Sequence, residues 1–61
     1  MTGPEIKRLR NKIKLSMLEF CALTGLPESY LEMIEEEKVR PLESDVKRIK
    51  RALEEYRREE E

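Results

Sequence analysis

Apolar residues recur near the start of the chain at Ile6, Leu9 and Ile13, three and four positions apart. That interval puts them on one face of a helix, while Lys7, Arg8, Lys12 and Lys14 point elsewhere. Thr2-Gly3-Pro4-Glu5 supplies the start. Thr2 or Gly3 can cap, proline fits the first turn, and Glu5 lies at the positive end of the helix dipole. The pattern predicts a first helix over about residues 4–13.

Two shorter elements follow. Ser16 with Glu19 has the spacing of a capping box, in which hydroxyl and carboxylate satisfy free amides reciprocally, and Leu15 precedes the cap. A second helix is predicted over residues 17–24, ended by Gly25 in the left-handed conformation. Pro27 fixes its own φ and opens a third helix over residues 27–36, burying Leu31, Ile34 and part of Tyr30. Lys38-Val39-Arg40 is a connection closed by Pro41. Leu42, Val46, Ile49, Leu53 and Tyr56 then recur at four, three, four and three. Held for only two heptads, that reads as one face of a helix packing on its own domain, over residues 42–57, with Ser44 as candidate cap. The charged tail, residues 57–61, has nothing to bury and is expected to fray.

These elements predict an all-α fold: one compact four-helix domain over residues 1–56, with an extended last helix. Its expected core is Ile6, Leu9, Ile13, Leu15, Leu18, Phe20, Cys21, Leu23, Leu26, Leu31, Ile34, Val46, Ile49 and Leu53. The tight turn between helices two and three is what a helix-turn-helix requires, because it sets the second rod across the first.

Composition narrows the chemistry. Sixty-one residues stand near the lower limit for folding without a staple, and a single cysteine, Cys21, allows no internal disulfide. Cys21 reads as a small buried hydrophobe, with a reactive thiol as the sharper alternative. With no histidine and no CxxC spacing, neither a metal site nor a cofactor is expected. Nothing pairs a nucleophile with a base and there is no glycine-rich phosphate loop, so an enzyme is not expected. No apolar run approaches the ~20 residues of a membrane span and no signal-peptide core follows Met1, so no membrane insertion and a cytoplasmic location are expected. The net charge of −1 hides an uneven distribution. Lys7, Arg8, Arg10, Lys12 and Lys14 crowd the first helix, whereas Glu28, Glu32, Glu35, Glu36 and Glu37 crowd the third.

The chain resembles the Cro/C1 (XRE-type) helix-turn-helix family, the lambda-repressor-like domains. The residues carrying the resemblance are Ile6-x-x-Leu9-Arg10, Leu15-Ser16, Cys21-x-Leu23-x-Gly25-Leu26, Leu31-x-x-Ile34-Glu35, Lys38, Pro41 and Ile49-x-x-Ala52-Leu53. The resemblance implies a DNA-binding module of a transcriptional regulator. Its third helix would enter the major groove of double-stranded DNA, commonly as a homodimer on two half-sites. Carried over position by position, it assigns Ser16 and Met17 to the phosphate at the second helix. Pro27, Glu28, Ser29, Glu32 and Met33 take the base-facing positions, and Lys38 and Arg40 clamp the backbone, with Lys12 and Lys14 nearby. It also implies an ion pair, Arg10 with Glu35, tying the first helix to the end of the third. Three departures stand out. Met17 replaces a frequent glutamine, Leu42-Glu43 shifts the start of the fourth helix, and Glu54-Glu55-Tyr56 continues helically where the family breaks into a fifth helix used for dimerisation. A homodimer of this chain would need another surface.

The segment from Pro27 to Glu36 is also similar to the cytoplasmic helix-turn-helix domain of the bacterial cell-shape protein RodZ, which implies a protein partner instead of DNA. On that alternative, Tyr30, Met33 and the glutamates of the third helix form the docking face, and Thr2-Gly3-Pro4 is the entry to a domain appended to something larger.

Overall fold

The computed structural model describes residues 1–60 in backbone and residues 1–56 in side chain. Among the described residues there are four helices: α1 (Gly3–Lys12), α2 (Met17–Thr24), α3 (Glu28–Glu35) and α4 (Glu43–Glu60). The ending expected to fray, residues 57–61, falls outside the described side chains.

Each helix is delimited by chemistry written into its own ends. Thr2 caps α1: its Oγ1 accepts the Glu5 N–H at 3.3 Å, and its own N–H donates to Glu5 Oε1 at 3.0 Å. Ser16 and Glu19 form the same box at the start of α2. Gly25, at φ 74 and ψ 16, ends α2 with its N–H on the Cys21 carbonyl at 2.8 Å. Thr24 seals the turn from inside. Its buried hydroxyl donates to the Phe20 carbonyl at 2.8 Å and accepts the Leu26 N–H at 3.2 Å.

Two helices end without glycine where glycine is favoured. Lys14 (φ 58) and Glu37 (φ 61) adopt left-handed backbone after α1 and α3. Beyond α1, Lys14 N–H donates to Asn11 and Leu15 N–H to Arg10; beyond α3, Glu37 N–H donates to Ile34 and Lys38 N–H to Met33. Those paired bonds are the Schellman ending. A side chain in this conformation costs about 1–2 kcal/mol.

α1 packs on α3 and α4, and α2 on α3 and α4. The core between them is Ile6, Leu15, Phe20, Leu31, Ile34, Ile49, Ala52 and Leu53, with Leu9, Ile13, Met17, Cys21, Leu26, Val39 and Tyr56 packed around it. Gly3 is buried because α1 begins against the end of α3. A methyl group there would collide with the Ile34 carbonyl and come within 2.8 Å of the Glu35 carbonyl.

Several expectations are corrected. Leu18 is 76% exposed and Leu23 45% exposed, so neither belongs to the core. α2 buries Phe20 and Thr24 with Met17 and Cys21 beside them, and positions 18 and 23 flank that stripe on either side. Leu42 is 67% exposed because it precedes α4 and contributes only its carbonyl to the first turn. Ala52 is buried in the α4 stripe, a place the heptad count had not given it. Ser44 lies inside α4 and is no cap, and Pro27 is the cap of α3 rather than its first residue.

Candidate nucleic-acid interface

The short bend at Gly25-Leu26-Pro27 sets α3 against α2, and burial then divides α3 lengthwise. Leu31, Ile34 and Glu35 face the interior, whereas Glu28, Ser29, Glu32 and Met33 are exposed together. Four of the expected base-facing residues are therefore brought onto one outward face, with exposed Pro27 at its head.

Side-chain bonds to two different helices hold α3. Arg10 Nε donates to Glu35 Oε2 at 2.8 Å and Nη2 to Oε1 at 3.1 Å, a two-pronged pair whose side chains are 13% and 5% exposed. The third guanidinium nitrogen, Nη1, donates to the Leu15 carbonyl at 3.0 Å, so one guanidinium joins α1, the approach to α2 and α3. Nearer the start of α3, the Tyr30 hydroxyl donates to Asp45 Oδ2 of α4 at 2.7 Å. The Asp45 carboxylate, followed by burial, pushes the phenol above its usual pKa, since ionised tyrosine would lose that bond and face a like charge. The hydroxyl of Tyr30 is thus engaged inside the domain and the ring is half-buried. The partial burial of Tyr30 is the one expected from the sequence, and its hydroxyl is committed to Asp45.

The residues flanking α3 behave differently from one another. Ser16 Oγ accepts from Glu19 N–H and donates to Glu19 Oε1 at 3.0 Å, so the hydroxyl serves the cap. Met17 is half-buried against the core. Lys38 is exposed and paired with Glu36 at 3.0 Å, and Arg40 is exposed. Cys21 is half-buried. Burial, then the charge of Glu28, raises its thiol pKa, which suits a packing residue better than a reactive one.

Arg48 of α4 had no signal in the sequence that would tie it to the turn. Its Nη1 lies 3.7 Å from where a methyl group on Gly25 would stand. An open groove of about 480 Å³ lies between the first residues and the α3–α4 connection, lined by Met1, Thr2, Ile34, Lys38, Val39 and Arg40 among others. Among the described residues no group of three or more Asp, Glu or Cys is placed to hold a metal ion, and no helix is long and apolar enough to cross a membrane.

A bent helix pair whose second member exposes a polar face, held from behind by the domain core, defines a helix-turn-helix domain. The sequence pattern of the helix-turn-helix family matches residues 6–59, and the chain belongs to that family in its Cro/C1 form, a family of DNA-binding domains and not of enzymes. No curated protein and no solved structure matches the chain.

Proposed function

We propose that this chain is the DNA-binding module of a cytoplasmic transcriptional regulator, with α3 in the major groove of double-stranded DNA. The observation that supports this reading best is the outward face of α3, Glu28, Ser29, Glu32 and Met33, mounted rigidly behind by the Arg10–Glu35 and Tyr30–Asp45 bonds. On this reading Glu28 and Glu32 accept from cytosine N4 groups, Ser29 serves as donor or acceptor, and Met33 contacts a thymine methyl. Ser16 and Met17 act through backbone: with the hydroxyl committed to the cap, the free N–H groups at the start of α2 face phosphate. Lys38 and Arg40 clamp the strand beside α3. A homodimer would place two such helices on neighbouring half-sites.

The test is binding to mixed-sequence duplex DNA across a salt series. A log–log slope of about −0.9 per phosphate engaged is expected, and a slope near zero would remove the proposal. Glu32→Lys adds two charge units close to phosphates. At ~7 Å in screened water each unit is worth about 0.25 kcal/mol per phosphate, so two phosphates give about 1 kcal/mol, or fivefold tighter binding. Unchanged affinity would place α3 outside the groove.

The carboxylate row Glu28, Glu32 and Glu36 favours one second reading, a RodZ-like module that docks a basic protein segment. A pull-down by the intact domain that is lost in Glu28→Lys together with Glu32→Lys, with no DNA binding by the wild type, would establish it in place of the first.

A further inference from the structure

Arg48 is exposed and makes no hydrogen bond or ion pair with any described residue. A carboxylate three or four positions along a helix is near enough to pair with an arginine. For Arg48 those positions hold Ser44, Asp45, Arg51 and Ala52, so Asp45 is the one candidate. Asp45 Oδ2 instead accepts the Tyr30 hydroxyl at 2.7 Å. The Arg48 guanidinium lies beside Gly25, its Nη1 3.7 Å from where a Cβ on that glycine would stand.

Resting on the DNA-binding reading, we propose that Arg48 contacts a backbone phosphate at the turn between α2 and α3. A planar guanidinium presents paired donors to phosphate oxygens. Arg48 stands on α4 and not on the outward face of α3, so its contact positions the domain without reading sequence.

The experiment uses the full chain and fluorescein-labelled mixed-sequence duplexes, with anisotropy read between about 50 and 200 mM salt. Arg48→Ala is expected to shallow the log–log slope by about 0.9 and to weaken binding equally on duplexes of different sequence. Arg48→Lys, keeping the charge, restores the slope. A clear wild-type slope that Arg48→Ala leaves unchanged overturns this inference and leaves the DNA-binding reading standing. A wild-type slope near zero removes both. Arg48→Ala that lowers the melting temperature without moving the slope assigns the side chain to the carbonyl end of α2, and likewise overturns it.

Discussion

Removing Arg10 tests how α3 is held. Its guanidinium makes three bonds of 2.8–3.1 Å, two to Glu35 and one to the Leu15 carbonyl. Truncation to alanine leaves a carboxylate that is 5% exposed without its cation, together with a carbonyl that has lost its donor. Breaking a buried pair from one side costs about 3–5 kcal/mol. Since the Arg10 side chain is 13% exposed, water can partly replace it, and the lower end, about 3 kcal/mol, is expected. A domain of this length has roughly 3–9 kcal/mol in all, so Arg10→Ala stands close to unfolding. At about 4–8 °C per kcal/mol, the far-UV circular dichroism melt should fall by roughly 12–24 °C. Arg10→Met with Glu35→Leu removes both charges and should return to within about 1 kcal/mol of wild type, because no orphaned carboxylate remains. A loss below about 1 kcal/mol for Arg10→Ala would show that the pair behaves as an exposed one, and the argument for a rigid mount would fail.

Gly3→Ala places a methyl group against two backbone carbonyls that cannot rotate away, and should cost about 1–3 kcal/mol by urea unfolding; a neutral result would refute the close approach of α1 to α3. Glu37→Gly relieves a left-handed glutamate and should stabilise by about 1 kcal/mol, read as a higher melting temperature, with no gain arguing against the Schellman ending. Tyr30 has a folded-state pKa above its ordinary value of 10.0, so its contribution is complete below that pH and is lost as pH rises through the folded value. Tyr30→Phe should therefore lose less stability above pH 10.0 than wild type; parallel losses would dissociate the phenol from Asp45.

What the sequence disclosed was mostly local. Ser16 with Glu19, Gly25 and Pro27 announce themselves because cap and turn chemistry is settled within four residues. The phase of α2 was illegible for a physical reason. Met17, Leu18, Phe20, Cys21, Ala22 and Leu23 surround the helix with apolar groups, so no stripe distinguishes buried Phe20 from exposed Leu18. The heptad count carried Leu42 into α4 because spacing alone does not reveal where a helix begins. Gly3 read as a capping residue, while its tighter constraint comes from α3, some thirty positions along the chain. Tyr30 and Asp45 are 15 residues apart and meet only through the packing of α3 on the start of α4, which is why the bond, and Arg48 beside the turn, carried no local signal.

α3 is eight residues long, too short to persist as a helix by itself, so its order comes from the domain. Inward, its charge is matched: Glu35 meets Arg10. Outward, Glu28, Glu32 and Glu36 stand four apart, a like-charge row costing about 0.2–0.5 kcal/mol per neighbouring pair. Lys38 answers Glu36 alone among the described residues. On the DNA reading, attraction must then come from cations outside the helix, such as Lys38, Arg40 and Arg48, while the carboxylates lower affinity wherever they fail to meet a cytosine amino group. Such a surface binds arbitrary duplex weakly and gains its advantage from rejection. The quantity to expect is a modest dissociation constant with a large ratio between chosen and random sequence, and cancelling the outward carboxylates should raise affinity while collapsing that ratio.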